Sequence, residues 1–313
     1  MQAHGGNANL WSIILAGGQG ERLSGFVKRM FGHGKPKQFC TFVGSRSMFE
    51  HTLDRADTIS APDHKVTIVA EEHYLAGWTE LSQQRPGKVI VQPCSRDTAA
   101  AVFLALNYVR AHDPEATVLI CPSDHFVYPE RQFCKAMVSA ARLATETPNL
   151  LVLLGVQPDR PETEYGWIRP GADLGRADGY RIRMVDSFIE KPNLETCRTA
   201  LTTGCLWNTS VIAARAAHLW AVGWDCFPEM MILFQEYESS IEFSEESLKL
   251  RAIYERMPSR NLSTHVLECI PHQLAVLELN SVVWADWGQS ERIIETLRWM
   301  GRPSPLAIGQ AVG

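Results

Sequence analysis

The sequence predicts an α/β protein with a mixed, mostly parallel sheet, helices on both faces of the sheet and a smaller irregular C-terminal part. In the first half of the 313 residues, short apolar runs alternate with segments whose apolar residues recur at helical spacing. This alternation is typical of parallel strands joined by right-handed helical crossovers. Residues 150–156 are apolar throughout, as expected of a strand buried on both faces.

The predicted elements follow in order along the chain. In the first half, the strands are 11–16, 66–70, 88–92, 117–121 and 150–156, and the helices are 47–59, 72–83, 97–111 and 130–145. In the less regular second half, the strands are 166–169, 180–189, 206–213 and 273–283, and the helices are 194–202, 216–236 and 245–257. We expect one α/β domain over 1–240 and a C-terminal extension over 241–313. The residues after Arg302 are rich in proline and glycine, which predicts poor order.

Composition and charge argue against several classes of protein. The net charge of −5 comes without a basic stripe, so we expect no nucleic-acid partner. No apolar run approaches membrane-spanning length, and the first ten residues lack the pattern of a signal peptide. We therefore expect a cytoplasmic protein with no membrane partner. The eight cysteines are scattered without a Cys-x-x-Cys pair, which is typical of reduced core thiols.

The most informative segment is the glycine-rich run that follows the first predicted strand. The bare backbone N–H groups of Gly17, Gly18 and Gly20 allow a polyphosphate to approach without meeting a Cβ. Arg22 in the same run and Lys37 beyond it supply the positive charge that such a ligand needs. A purely structural turn is the alternative, and the two cations favour phosphate binding over it.

Two common nucleotide-binding motifs do not fit this run. A Walker loop needs Ser or Thr after Gly-Lys, but the pair at 34–35 is followed by Pro36. A dinucleotide fingerprint needs a third glycine where Leu23 stands. It also needs an acidic residue about 20 positions on, and the next predicted strand ends too late, at Glu71.

The run Leu-Ala-Gly-Gly-Gln-Gly-Glu-Arg-Leu at 15–23, followed by Pro-Lys-Gln-Phe at 36–39, resembles the signature of sugar-1-phosphate nucleotidyltransferases. The Gln-Phe ending is similar to that of the mannose-1-phosphate guanylyltransferase branch. The resemblance implies a Rossmann-like sheet of the nucleotide-diphospho-sugar transferase type. It also implies that a nucleoside triphosphate (GTP) and a sugar 1-phosphate (mannose 1-phosphate) give an NDP-sugar and pyrophosphate, with Mg²⁺ as cofactor.

Two aspartates are candidate Mg²⁺ ligands. Asp124 follows a predicted strand, where a carboxylate beside the glycine run is well placed to hold the metal, although a turn cap is the alternative. Its Pro-x-Asp-His context resembles the family's metal-binding strand end. Asp286 lies in Trp-Ala-Asp-Trp-Gly, which resembles the family's Trp-x-Asp-x-Gly, so the C-terminal extension would complete the metal and sugar site.

Three further segments resemble sugar-binding motifs of the family. Tyr-Gly-Trp-Ile at 165–168 matches Tyr-Gly-Tyr-Ile, Phe-Ile-Glu-Lys-Pro at 188–192 matches Phe-x-Glu-Lys-Pro, and Trp-Asn-Thr-Ser at 207–210 matches Trp-Asn-Ser-Gly. A β-turn is the alternative for the first and an exposed sheet edge for the second. Asn208 both donates and accepts hydrogen bonds, which suits a vicinal diol.

The resemblance assigns the candidate roles residue by residue. It implies catalytic roles for Arg22 and Lys37, nucleotide contacts for Leu15, Ala16, Gly17, Gly18, Gly20, Gln92 and Thr98, sugar or phosphate contacts for Gly166, Glu190, Lys191 and Asn208, and metal coordination by Asp124 and Asp286. Helix capping by Ser95 or Asp97 is an equal alternative for the block around Thr98, where Asp97 replaces the family's Asn.

Other departures from the family keep further functions open. The loop 24–35 lacks the expected Trp-Pro and is longer and more basic, Ser210 replaces a glycine, and the Asp of a Ser-x-Asp segment is absent at 262–264. The alternatives are the same chemistry on a specialised sugar or cyclitol phosphate, or a catalytically silent regulatory subunit that binds a sugar nucleotide. Guanine and mannose come from the resemblance alone, and the irregular C-terminal region suggests an interface for a homo-oligomer.

Overall fold

The computed structural model describes residues 9–302, without the side chains of residues 81 and 82. The residues after Arg302, predicted to be poorly ordered, lie outside this range. Within it the strands are β1 (Leu10–Ala16), β2 (Lys65–Ala70), β3 (Lys88–Gln92), β4 (Thr117–Pro122), β5 (Phe126–Tyr128), β6 (Leu151–Val156), β7 (Gly166–Ala177), β8 (Tyr180–Glu190), β9 (Leu206–Arg215), β10 (Leu274–Leu279) and β11 (Val283–Ala285).

Helices lie between most of these strands. They are α1 (Ser24–Phe31), α2 (Met48–Ile59), α3 (Glu71–Leu75), α4 (Glu80–Gln83), α5 (Asp97–His112), α6 (Glu130–Glu146), α7 (Leu194–Thr202), α8 (Ala216–Cys226), α9 (Pro228–Glu238), α10 (Glu246–Arg256) and α11 (Ser290–Trp299). Single turns of 3₁₀-helix occupy Glu21–Leu23, Lys37–Phe39 and Pro271–Gln273, and a π-helix occupies Ser263–Leu267. None of the helices in the described part of the chain is long and apolar enough to span a membrane.

Nine strands form the main sheet, in the order β3-β2-β1-β4-β9-β6-β10-β8-β7. The predicted α/β fold class is confirmed. Strands β3, β2, β1 and β4 are parallel, whereas β9 runs antiparallel to both of its neighbours, β4 and β6. The parallel half therefore carries the glycine run at the end of β1, and the mixed half carries the segments predicted to bind sugar.

Helices cover both faces of the main sheet because successive side chains of each buried strand point in opposite directions. On β4, Ile120 packs with Phe103 of α5 in the core on one face. Its neighbour Leu119 packs with Met137 of α6 in the core on the other face. Both cores exclude water from the middle of the sheet, so that polar groups concentrate at the ends of the strands.

Strand β10 lies between β6 and β8, although it comes from beyond residue 240. It pairs parallel with β6 and antiparallel with β8. The main sheet therefore crosses the predicted boundary between the 1–240 domain and the 241–313 extension, and that boundary stays a prediction. A second sheet pairs β5 with β11.

Four predicted elements were wrong in detail. The loop 24–35 contains α1, and Phe26 buries its apolar side there. The helix predicted over 72–83 is two short helices separated at Gly77, whose φ of 73° ends the first one. The helix predicted over 216–236 is interrupted before Pro228, which lacks an N–H group and starts α9 instead. The strand predicted over 273–283 is β10 followed by a separate β11.

Candidate active site

The glycine run is held in place by buried polar side chains from other segments. Gln38, which is 2 % exposed, donates from Nε2 to the carbonyl oxygens of Ala16 at 3.1 Å and Gly18 at 2.7 Å. Ser123 donates from its backbone N–H and its Oγ to the carbonyl of Leu15. Because these carbonyls are satisfied from behind, the loop keeps a defined shape without a ligand.

The three glycines of the loop differ in whether the fold itself requires glycine at their positions. Gly20 has φ 64°, and a Cβ there would lie 2.9 Å from the backbone nitrogen of Lys37, so the fold itself requires glycine. A Cβ at Gly18 would meet no described atom within 4 Å. At Gly17 it would make only ordinary contacts, the nearest at 3.5 Å from Oε1 of the buried Gln92. Protein packing therefore leaves the surface at Gly17 and Gly18 open.

Lys37 is buried between the two candidate metal ligands. Its side chain is 5 % exposed, and Nζ lies 2.9 Å from Oδ2 of Asp124. Nζ also donates a hydrogen bond to the backbone carbonyl of Asp286. Burial acts to raise the pKa of Asp124, but the charges of Lys37 and His125 outweigh it and lower that pKa from 3.8 to about 2. Asp124 is therefore ionised at neutral pH.

The β5–β11 ladder brings the two aspartates to the same place. Phe126, two residues after Asp124, pairs with Ala285, which directly precedes Asp286. Asp286 accepts the N–H of Gly288 at Oδ1 over 2.8 Å. The described residues contain no cluster of three or more His, Cys, Asp and Glu side chains suited to a metal. Two carboxylates nevertheless fit Mg²⁺, which commonly uses one or two of them together with substrate phosphates.

Arg22 is engaged by carboxylates on two sides. Its NH1 donates to Oε2 of Glu164 at 2.6 Å, and its NH2 lies 3.6 Å from Oδ2 of Asp286. A Cβ at Gly288 would come within 2.9 Å of the same NH2, so glycine there makes room for the guanidinium. The Arg22 side chain is still 53 % exposed and retains donors for an anion. The sequence does not predict a role for Glu164, because no motif around it indicates that it pairs with Arg22, which is distant in the chain.

Gly166 and Glu190 are directly opposite each other on β7 and β8. A Cβ at Gly166 would lie 2.8 Å from Oε2 of Glu190 and 2.7 Å from Cζ of Phe188. Packing against Phe188 and Glu190 is therefore one reason for glycine at position 166. The close approach of a sugar, which the family resemblance implies, is a second reason. Burial raises the pKa of the Glu190 carboxyl, and the nearby Glu268 adds to the effect. Glu268 also accepts the N–H of Glu190 at 2.6 Å.

Two non-glycine residues on the sugar side have left-handed backbone conformations. Lys191 has φ 47° and Ser210 has φ 57°, a region that most side chains avoid. The backbone N–H of Ser210 donates to Oδ1 of Asn208, which is 3 % exposed. The Nδ2 of Asn208 donates to no other residue in 9–302 and is available to a ligand. The positive φ of Ser210 explains why the resembled motif has glycine at this position.

Thr98 makes a different contact from the predicted one. Its Oγ1 accepts the N–H of Leu262 at 2.9 Å. Asp97 accepts the N–H of Thr98 at 2.6 Å and an N–H of Asn261 at 3.1 Å, so its carboxylate serves the first turn of α5 and the 261–262 segment. The role of Thr98 toward the base or ribose stays a prediction, as does that of Gln92.

Comparison with known proteins identifies the family. The Nucleotidyl transferase family model matches residues 11–298. The chain belongs to the nucleotidyl transferase family. Its mannose-1-phosphate guanylyltransferase relative from Salmonella montevideo is 35 % identical over 209 residues, which are 65 % of this chain and 42 % of that protein. One from Escherichia coli is 28 % identical over 282 residues, 88 % of this chain and 59 % of that protein. The chain thus spans between two fifths and three fifths of these relatives.

Solved structures support the fold of this member of the family. A structure from Thermus thermophilus, described as a mannose-1-phosphate geranyltransferase, is 24 % identical with a TM-score of 0.74, covering 92 % of this chain and 79 % of that one. UDP-glucose pyrophosphorylase complexed with UDP-glucose is 13 % identical with a TM-score of 0.55, covering 93 % of this chain and 98 % of that one. At these identities the likeness concerns the fold alone.

In this member of the family, the predicted site residues form two groups. Arg22, Lys37, Asp124 and Asp286 lie together beside the glycine run. Gly166 and Glu190 face each other on the neighbouring hairpin. Sequence reasoning gave no role to the residues that support both groups: Gln38, Glu164, Tyr165, Glu268 and Arg292. Gln38 and Tyr165 lie inside segments that resemble family motifs, and this was the one indication in the sequence that they have a role in the site.

Proposed function

We propose that this protein is a sugar-1-phosphate nucleotidyltransferase that makes GDP-mannose and pyrophosphate from GTP and mannose 1-phosphate. One observation carries the proposal: buried Lys37 contacts both Asp124 and Asp286 beside the open backbone of Gly17 and Gly18. The names of the relatives supply guanine and mannose. A cytoplasmic location belongs to the same proposal, and a homo-oligomeric state and the absence of a nucleic-acid partner stay predictions.

The proposed reaction needs no nucleophile from the protein. An oxygen of the sugar phosphate attacks the α-phosphorus of the nucleotide in line, and the bond from that phosphorus to the bridging oxygen breaks to release pyrophosphate. Positioning and charge neutralisation supply most of the rate in such transfers. The Asp124 carboxylate holds the ammonium group of Lys37 in place. From this position Lys37 would stabilise the negative charge that grows on the α-phosphate.

The nucleotide side would use backbone and arginine donors. The N–H groups of Gly17 and Gly18 would donate to phosphate oxygens, and Arg22 would hold the leaving pyrophosphate with the donors that Glu164 does not use. Asp124 and Asp286 would hold Mg²⁺. When bound, that ion would supply neutralisation of the charge on the phosphates.

The sugar side would use hydrogen bonds from buried polar groups. Glu190 and the free Nδ2 of Asn208 would orient hydroxyl groups of the sugar, and Lys191 would pair with its phosphate. A buried polar pocket discriminates strongly between sugars, because a missing hydroxyl leaves its protein partner unpaired. The pairings on this side therefore decide the sugar specificity.

One observation favours the same chemistry on a different sugar or cyclitol phosphate. Ser210 keeps a side chain beside Asn208 in a backbone conformation that favours glycine. That side chain narrows the space next to a proposed hydroxyl partner. A catalytically silent regulatory subunit is less well supported, since a pure binder has little use for a buried lysine between two carboxylates.

Pyrophosphate release tests the proposal directly. Each of the four nucleoside triphosphates is incubated with Mg²⁺ and a panel of hexose 1-phosphates and cyclitol phosphates. Release with GTP and mannose 1-phosphate is the expected result. Release with another pair keeps the chemistry and changes the substrate. Binding of GDP-mannose without Mg²⁺ dependence, and with no release from any pair, supports the regulatory alternative.

A further inference from the structure

Arg292 is a buried cation outside the residues so far assigned to the reaction. It lies on α11 and is 8 % exposed. Its guanidinium donates to Oε2 of Glu162 and lies over the rings of Tyr165 and Trp207, at 5.4 Å and 5.3 Å from their centroids. A buried charge is tolerated only where partners compensate it, so these contacts fix the positions of Arg292, Glu162 and the Tyr165 ring.

The partner carboxylate fixes the start of the segment 162–166. Glu162 accepts the N–H of Glu164 at 3.2 Å through Oε1, the oxygen that Arg292 does not use. Its backbone carbonyl accepts the indole N–H of Trp167 at 2.8 Å. Contacts at Glu162 and at Trp167 therefore flank Glu164 and Tyr165 on both sides.

Tyr165 is hydrogen-bonded to residues on both sides of the site. Its hydroxyl oxygen accepts the backbone N–H of Asp286 at 3.3 Å, and its carbonyl accepts the N–H of Lys191 at 3.1 Å. The carbonyl of the same Asp286 accepts the hydrogen bond from Lys37. Continuous contacts thus lead from the ring under Arg292 to the backbone that carries a proposed metal ligand.

We propose that Arg292 is a positioning residue that fixes the Tyr165 ring and, through it, the backbone of Asp286 relative to Lys37. The catalytic part of this inference rests on the proposed function. Loss of the Arg292 contacts displaces a metal ligand and the partner of Lys37 together, while the glycine run keeps its own supports, Gln38 among them. The expected defect is therefore in turnover and not in nucleotide affinity.

Two substitutions interrupt the contacts at different points. Arg292→Lys keeps the charge but loses the planar group over the Tyr165 ring, and Tyr165→Phe keeps the ring but loses the acceptor for Asp286. Each is expected to lower kcat about tenfold and to leave the KM for the nucleoside triphosphate within about twofold, since the interaction concerns the transition state. Melting temperatures establish that each variant is folded.

Arg160→Lys is the matched control. Arg160 also joins the segment before residue 162 to α11, through Glu295 at 2.7 Å, and it pairs with its neighbour Asp159 at 2.9 Å, a carboxylate that Arg292 approaches only at 4.0 Å. It is more exposed than Arg292, and both of these ion-pair partners lie outside the segment 162–166. Its kcat and KM are expected to match those of the unaltered protein. A tenfold loss of kcat in this control contradicts a specific role for Arg292.

The double variant separates a shared route from two unrelated defects. If Arg292 acts through Tyr165, Arg292→Lys combined with Tyr165→Phe lowers kcat no further than the more damaging single substitution. A loss equal to the product of the two single losses contradicts the proposal, because it means that the two residues act independently.

Hydrogen exchange tests the positioning without any substrate. In the ligand-free protein, the amide of Asp286 is expected to exchange several times faster in Arg292→Lys and in Tyr165→Phe, and at the unaltered rate in Arg160→Lys. An unchanged rate in Arg292→Lys overturns the proposal whatever the activities are. If the unaltered protein releases no pyrophosphate from any pair, the proposed function fails, and the exchange rates alone decide the positioning.

Discussion

The nucleotide side and the sugar side of the candidate site are built in different ways. On the nucleotide side, Gln38 donates to carbonyls of the glycine run, and the one left-handed position within residues 15–23 is a glycine, Gly20. Asp97 and Trp287 also have positive φ but lie outside this run. On the sugar side, Lys191 and Ser210 hold left-handed conformations without being glycine. Strain of this kind persists at functional sites only where the surrounding structure imposes it.

The difference separates chemistry from specificity. Gln38 supports the glycine run from about 20 residues further along the chain, and Ser123 supports it from the end of β4. The run and its nearer support are therefore specified by one short stretch of chain. The sugar side joins the β7–β8 hairpin, β9 and the 261–268 segment, which are far apart in sequence. We infer that a change of substrate within the family alters the second side and leaves the first unchanged.

The largest expected effect tests the nucleotide side. Lys37→Ala is expected to lower kcat for pyrophosphate release at least about a hundredfold, because it removes a buried charge placed for the transition state. Lys28→Ala, which removes a charge from an exposed position on α1, is the control and keeps its activity. Near-normal turnover of Lys37→Ala would remove Lys37 from the proposed chemistry.

A smaller effect is expected from the support of the glycine run. Gln38→Leu leaves the carbonyl of Gly18 without its donor and that of Ala16 with His73 Nδ1 at 3.3 Å, and it is expected to raise the KM for the nucleotide about tenfold. It should also lower the free energy of unfolding by about 1–3 kcal/mol. Gln132→Leu, at an exposed position, is the control. An unaltered KM in Gln38→Leu would show that nucleotide binding does not depend on this support.

The sugar side offers a test with opposite signs at two serines. Ser210→Gly is expected to raise the free energy of unfolding by about 1 kcal/mol, because it relieves the left-handed backbone strain. Ser187→Gly, at a position of β8 that pairs with Arg169 and has no positive φ, is expected to lower it by about 0.5–1 kcal/mol. Denaturant titration measures both. Destabilisation of both variants by the same amount would mean that Ser210 carries no strain.

The same Ser210→Gly variant sharpens the question of specificity. If Ser210 narrows the sugar site, the variant accepts a wider range of sugar phosphates than the unaltered protein, with the KM for the nucleotide unchanged. The pyrophosphate-release panel measures both quantities. An identical substrate range in the two proteins would place the determinant of specificity elsewhere.

The smallest expected effect concerns pH. The pKa of Asp124 is lowered from 3.8 to about 2 in the folded protein, so its ionised form contributes stability above pH 4 that is lost as the pH falls toward 2. The difference in unfolding free energy between the unaltered protein and Asp124→Asn should shrink over that window. Because the side chain is 40 % exposed, the change should stay under about 1 kcal/mol. Asp63→Asn, at an exposed position, is the control substitution.

The sequence by itself determined the local elements and the phosphate-binding run. Apolar periodicity identified β1, β2 and β4 nearly to the residue, because both faces of these strands are buried and the signal is strong. The edge strand β3, which is mostly half-buried, was predicted with the same bounds. The glycines, Arg22 and Lys37 were predicted because their chemistry requires those residue types in one short stretch. The family followed from the same residues.

Only the tertiary structure decided which distant segments meet. The position of β10 between β6 and β8, the β5–β11 ladder that brings Asp286 to Lys37, and the contact of Arg292 with Tyr165 join segments far apart in the chain. Periodicity reports which face of an element is buried, but not which partner buries it. The supports of the site were therefore invisible in the sequence, because their roles depend on pairings that only the folded chain creates.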